Sequence, residues 1–401
     1  MTIDVTAASP LTIAVASDLH AFAEEADAGV RPSHLKIGCP ETLPGQHPIA
    51  GLLDLIQSNA LHADLLLCPG DLGDKATPEG IAYAWKAMHR IKQALGAASL
   101  ATTTGNHDVD SRQKYNRYDP ESVLKNLDPP YPFPDEVLND RYWARKYVVL
   151  STARYRLVVL NSSGYHVGPN DEVMHGRIGV DTLEHLRQDL QATGRPTVNL
   201  LLCHHHPQQH SELRLADYDV MKEGQQLLDL LGSGLFGRWL VVHGHKHHPK
   251  LTYASGGALS PVVFSAGSLC ASLYLELQTA CRNQFYLIRL EPTSIEEQGL
   301  FGTITAWDWA TGKGWAPSGD RSGLPHHSGF GYRGDLYALA RRVAVLVDDK
   351  AMSWDTITGA LPEVNSILPQ DLRVLQELLK AEFNLKVLTE LGLPQQIGVI
   401  I

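Results

Sequence analysis

LTIAVASDLH, residues 11–20, is apolar or small at nearly every position from Leu11 to Ala16 and then stops at a polar triplet, Asp18-Leu19-His20. A strand with one wet face alternates apolar and polar residues, so a run that does not alternate fits a strand buried on both faces. Leu65–Leu67, Leu157–Leu160, Val198–Leu202 and Trp239–Val242 have the same character, and most of these runs lead into polar or His-rich residues. In α/β folds, sites form at the C-terminal ends of such strands. Helical stretches lie between the runs. Thr77-Pro78 reads as an N-cap with proline at the first helical position; Ala84, Met88, Ile91 and Leu95 share a face, and Gly96 ends the helix. Asp181 and Glu184 read as a capping pair for a second helix with Leu183, Leu186 and Leu190 inward. The alternation predicts an α/β domain over residues 1–310.

Two insertions interrupt it, at about 21–47 and 111–147. The second carries Arg112, Lys114, Tyr115, Arg117, Tyr118, Tyr131, Phe133, Tyr142 and Trp143 among several prolines, which suits the rim of a site. Residues 311–332, rich in Gly, Ser and Pro, read as a linker, and 333–401 as a helical C-terminal domain. Within that tail, Ser353–Leu361 and Pro369–Leu391 are candidate helices of a winged-helix-like module, or of a docking surface through which the chain forms a homo-oligomer.

The 401 residues carry a formal charge of −10, which excludes a global field that would gather nucleic acid. Five scattered cysteines with no CxxC pair argue against a disulfide framework and for a reducing, cytoplasmic setting. No run reaches the roughly 18 apolar residues of a membrane span, so no membrane partner is expected.

Five polar motifs stand in order: Asp18-Leu19-His20, Gly70-Asp71, Gly105-Asn106-His107-Asp108, His204-His205-His206-Pro207 and Gly244-His245-Lys246-His247. Each alone is weak; their joint occurrence at strand ends is not. A carboxylate bridges two cations, while neutral imidazoles and an amide oxygen fill other positions without adding charge, leaving ions able to acidify water. In extended backbone, the i, i+2 spacing of Asp18 and His20, and of His245 and His247, points each pair to one side. Oxygen and imidazole donors suit Mn, Fe, Zn, Co or Ni and exclude a thiolate-rich structural zinc site.

The series resembles the calcineurin-like metallophosphoesterases, whose blocks run D-x-H, G-D, G-N-H-[DE], H and G-H-x-H. The resemblance covers roughly residues 11–310, with Ser265–Leu269 similar to the family's Gly-Ser turn. It implies a four-layer α/β/β/α sandwich with a small C-terminal helical appendage. It also implies two divalent ions, with manganese favoured. One would be held by Asp18, His20 and His247, the other by Asn106, His205 and His245, with Asp71 bridging. His205 is chosen because family members ligate through the first His of a His-His-Pro run; His204 is the alternative. The implied reaction is in-line attack on phosphorus by a metal-bridging hydroxide, with His107 near the leaving group and Asp108 fixing its tautomer.

His-His-His-Pro and Gly-Asn-His-Asp are similar to the cyclic-nucleotide and small-phosphodiester branch, so the expected substrate is a phosphodiester. The alternatives are a phosphomonoester, or a nuclease whose insertion aromatics stack on bases. Last comes a non-catalytic scaffold, against which every expected ligand is present.

Overall fold

The structure is a computed structural model describing residues 9–23, 31–168, 175–193, 198–209, 220–291, 299–319, 322–348 and 350–400. Its first half runs β1 (Leu11–Val15), α1 (Pro48–Ser58), β2 (Leu65–Cys68), α2 (Pro78–Ala94), β3 (Ser99–Thr102), α3 (Ser122–Lys125), α4 (Glu136–Arg145), β4 (Tyr147–Ser151) and β5 (Arg156–Leu160). It continues with α5 (Val180–Ala192), β6 (Asn199–Leu202), α6 (Gly224–Gly232), β7 (Trp239–His243), β8 (Lys250–Tyr253), β9 (Val262–Ser265), α7 (Leu275–Gln278), β10 (Asn283–Glu291) and β11 (Phe301–Ala310). Then follow β12 (Gly314–Pro317), β13 (His327–Phe330), α8 (Leu336–Val347), β14 (Met352–Ser353), α9 (Trp354–Ala360), a 3-10 turn (Pro362–Ser366), α10 (Pro369–Phe383), β15 (Leu385–Glu390) and β16 (Leu393–Val399).

Two sheets face each other. One is ordered β12-β11-β10-β1-β2-β3, with β13 also on β11; the other is β4-β5-β6-β7-β9-β8. The period-2 alternation of strand side chains sorts the buried runs into three cores. Ile13, Val15, Leu65 and Leu67 meet Leu157, Val159, Leu200, Leu202, Leu240 and Val242 between the sheets. Their alternates Ala14 and Leu66 pack on Ile49 and Leu52 of α1 and Trp85 and Met88 of α2. Val158, Leu201 and Val241 pack on Leu186 and Leu190 of α5 and Leu227 and Leu228 of α6. This is the expected four-layer α/β/β/α sandwich, and each fully buried Val or Leu adds about 1.5–3 kcal/mol. Parallel pairing of β1-β2-β3 and of β5-β6-β7-β9 turns their C-terminal ends to one side of each sheet, where the polar motifs lie.

Several local expectations are corrected. Residues 311–332 are not a bare linker: β12 and β13 pair antiparallel with β11, because a Gly- and Ser-rich segment still offers a full set of backbone donors and acceptors. Helix α5 begins at Val180 with Gly179 as its N-cap, so Asp181 lies inside the first turn, where it favours the positive helix end instead of capping it. The tail is helical as expected but also holds a three-stranded sheet, β14-β16-β15. Its last helix stops at Phe383, not Leu391, because Asn384 adopts φ 55, a left-handed cap that turns the chain into β15. The tail has its own core, built from Leu339, Val343, Trp354, Ile357, Leu375, Leu379 and Ile397 among others. Part of the 21–47 insertion, residues 24–30, lies outside the described residues. In the 111–147 insertion Tyr131, Phe133 and Tyr142 are buried, so these rings pack the cap itself; Tyr118, 88% exposed, is the outlier. No helix among the described residues is long and apolar enough to cross a membrane.

Candidate metal centre

The motif-bearing loops converge where β1, β2, β3, β6 and β7 end. They are not extended: Asp18 has φ 54, His20 φ 49, Asp71 φ 55, His245 φ 75 and His247 φ 54. The expectation that i, i+2 residues share a side through extended backbone is therefore wrong for both pairs. Left-handed turns aim them instead, a strained conformation for residues bearing a Cβ and one that clusters at functional sites. Glycines make the approach possible. A Cβ on Gly105 would overlap the Asp71 carboxylate, and one on Gly244 the Asp18 carboxylate.

One group comprises Asp18, His20, Asp71 and His247, all buried. His20 Nε2 lies 3.1 Å from His247 Nε2 and 3.4 Å from Asp71 Oδ2, and His247 Nε2 lies 3.4 Å from Asp18 Oδ1. The other group gathers around Asn106. Its Oδ1 is 2.9 Å from both His204 Nε2 and His245 Nδ1, and those two nitrogens are 3.2 Å apart. Asp71 Oδ2 is also 3.5 Å from His204 Nε2, so a single oxygen atom touches both groups.

The electrostatics fit cations. Burial, with the neighbouring Asp108 and Asp18 charges, holds the Asp71 carboxyl well above its ordinary range. Burial also pushes the Asp18 carboxyl up, but its contact with His247, 3.4 Å away, and the other histidines around it outweigh that and leave it low. Burial and neighbouring imidazoles push His20 and His204 well below the ordinary histidine range, so both are neutral and carry a lone pair. Neutral nitrogens and carboxylates crowded at 3.1–3.5 Å without a balancing charge are what a divalent ion relieves. The arrangement is a dinuclear site for divalent metal ions.

Hydrogen-bond inventory separates the adjacent histidines. His204 Nδ1 lies 2.8 Å from the Pro69 carbonyl, an acceptor only, so Nδ1 carries the hydrogen and Nε2 offers its lone pair toward Asn106 and Asp71. His205 differs. Ser162 Oγ accepts the backbone N–H groups of His204 and His205 and lies 2.9 Å from His205 Nδ1. With both lone pairs used, the hydroxyl donates to Nδ1, which leaves the hydrogen of neutral His205 on Nε2. That nitrogen is buried with no hydrogen-bond partner among the described residues, although His205 does group loosely with His204 and His245. The structure thus brings His204, the alternative, to Asn106 and Asp71.

His107 and Asp108 are also placed differently from expectation. Asp108 accepts the backbone N–H groups of Asp71, Leu72, Gly73 and Gly105 at 2.7–3.2 Å, which ties two loops together and leaves it away from the His107 ring. Instead, Asp74 Oδ1 lies 3.1 Å from His107 Nδ1, and a carboxylate acceptor there places the hydrogen on Nδ1. His107 is the half-exposed member, its ring 4.6 Å from that of His20 and its backbone N–H 2.8 Å from Asp71 Oδ1. Sequence reasoning passed over Asp74 and Ser162. The spacing Gly70-Asp71-Leu72-Gly73-Asp74 and the polar Asn161-Ser162-Ser163 stretch after the β5 run were the available signals. The turn at Ser265–Leu269 does have a role: Ser268 Oγ donates to the Asp18 carbonyl at 2.7 Å.

A family model described as calcineurin-like phosphoesterase matches residues 11–249, and a second, described as wHTH-Calcineurin_assc, matches residues 328–381. No curated protein matches the chain. Among solved structures it is similar to a dimetal phosphatase from Danio rerio, at 12% identity over 75% of this chain and 96% of that one, TM-score 0.46. It is also similar to a purple acid phosphatase from yellow lupin (Lupinus luteus) seeds, at 13% identity over 77% of this chain and 53% of that one, TM-score 0.49.

Proposed function

Because this chain belongs to the calcineurin-like phosphoesterases, we propose that it hydrolyses a phosphodiester at two divalent ions. In this reading Asp18, His20 and His247 hold one ion, Asn106, His204 and His245 the other, and Asp71 lies between. The observation that carries it is the position of Asp71 Oδ2, 3.4 Å from His20 and 3.5 Å from His204, at the junction of the two groups. His204 replaces His205 as ligand on the strength of its tautomer. When bound, the ions supply Lewis acidity and an activated water. The diester preference is supported by the likeness of His204-His205-His206-Pro207 and Gly105-Asn106-His107-Asp108 to the small-phosphodiester branch.

The chain's own residues supply the rest. His107 acts in this step as the imidazolium: Asp74 accepts its Nδ1–H, its Nε2–H faces the leaving oxygen, and that proton passes to the oxygen as the ester bond breaks, leaving the neutral ring with its hydrogen on Nδ1. Asp108 acts through the loops: its four backbone contacts hold Gly105 and Asp71 at the distance at which their side chains and backbone meet. In the tail, α10 carries Asp371, Glu377 and Glu382 against Arg373 and Lys380, which is no basic stripe for DNA.

Two measurements test this reading. With manganese added, the purified protein is expected to hydrolyse bis-p-nitrophenyl phosphate faster than p-nitrophenyl phosphate; a clear reversal removes the diester preference. His107→Ala is expected to lower turnover by about 10²–10⁴-fold and Asp74→Asn by about 10–100-fold, each with metal content kept. Loss of metal in His107→Ala would make that residue structural.

A further inference from the structure

Ser162 and Ser163, which follow Asn161 at the end of β5, tie two ligand-bearing loops together. Ser162 holds His205, and Ser163 Oγ donates to the Thr104 carbonyl just before the Gly105 block, at 3.0 Å. The next two residues, Gly164 and Tyr165, line a cavity of about 620 Å³ that no metal ligand enters. Arg177, whose backbone N–H donates to the Ser162 carbonyl at 2.9 Å, lines it as well. The neighbouring Gly176 lies so close to the His205 ring that a Cβ there would overlap it. One stretch of chain therefore carries both the flank of the metal centre and the cavity.

The cavity is built around Lys146. This residue caps the C-terminus of α4 at φ 62, and its carbonyl takes the Asn161 N–H at 2.8 Å, which fixes its backbone. Its stem runs over Gly164, where a Cβ would come within 2.9 Å of Lys146 Cδ, so the glycine clears the path. Its ammonium ends 5.2 Å from the Tyr165 ring centroid. Arg177, 6.0 Å from the same ring, is neutralised by Glu223 at 3.0 Å and 3.1 Å. Lys146 has no carboxylate partner among the described residues. The Tyr165 hydroxyl abuts Gly179, and helix α5 starts there without a side-chain cap, so its first-turn N–H groups have no side-chain acceptor among the described residues. Asp181 lines the cavity too and offsets part of that positive end.

We propose that this cavity is a substrate subsite in which Lys146 takes a second phosphate, carried on the part of the substrate that is not cleaved. The proposal rests on the phosphoesterase reading and narrows it to substrates that carry an additional anionic group. A lysine that merely completes the C-terminus of α4 would have no such effect.

The test uses metal-loaded protein and two inhibitor types, alkyl monophosphates and α,ω-alkanediol bisphosphates of increasing chain length. Binding is read by calorimetry as well as by inhibition of bis-p-nitrophenyl phosphate hydrolysis. At one chain length the bisphosphate is expected to bind about tenfold more tightly than the monophosphate, the scale of one charge-assisted contact. Lys146→Glu abolishes that gain while the monophosphate affinity and the KM for bis-p-nitrophenyl phosphate stay unchanged; Lys146→Arg keeps it. No gain at any length, or a gain that survives in Lys146→Glu, overturns the subsite. If neither inhibitor binds and no ester is hydrolysed, the phosphoesterase reading itself fails, a different outcome.

Discussion

Asp71→Ala is expected to lower turnover by about 10³-fold or more, the effect of losing several kcal/mol of charge stabilisation. Among the described residues, no other side chain has one oxygen against both ligand groups and a second, Oδ1, receiving the His107 N–H at 2.8 Å. The same position gives a stability signature. Its carboxyl is raised by burial and by Asp108 and Asp18, so in metal-free protein the charged form is a cost. For a raised acid, favourable protonation is complete below the unfolded value of 3.8 and lost as pH climbs through the folded one. Metal-free Asp71→Asn is therefore expected to unfold at a higher temperature than metal-free wild type near neutral pH, with the difference shrinking on acidification. Metal reverses the order, since ions stabilise the protein that binds them. Thermal unfolding with and without chelator reads both effects; a variant less stable than wild type in chelator would show that Asp71 is a structural residue.

The second large effect separates two neighbours. His204→Ala is expected to lose one of two ions and about 10²–10³-fold in kcat/KM, because its Nε2 lies at 2.9 Å from Asn106 and 3.5 Å from Asp71. His205→Ala removes a ring held by Ser162 and pressed on Gly176 and should cost about tenfold, with both ions kept. Metal content and kinetics on the two variants decide it. The opposite pattern would return the ligand role to His205.

The layers were readable from sequence because burial on both faces leaves uninterrupted apolar runs, as in Leu157–Leu160 and Trp239–Val242. The edges were less so. β13, His327–Phe330, is held by backbone pairing with β11, and a sequence carries little trace of that. The motif residues Asp18, His20, Asp71, Asn106, His245 and His247 were equally plain in the sequence, and the fold brings them together. What failed was local geometry. The proposed choice of His204 over His205 rests on the Pro69 carbonyl and the Ser162 hydroxyl, which lie 135 and 43 positions away in sequence. Asp74 replaced Asp108 as the partner of His107 for a similar reason: the nearer carboxylate is already committed to four backbone N–H groups.

Anomalous diffraction from crystals grown with excess manganese addresses the pair of ions most directly. Two peaks are expected on either side of Asp71 Oδ2, one among Asp18, His20 and His247, the other among Asn106, His204 and His245. A single peak, or metal bound only elsewhere on the chain, would contradict it.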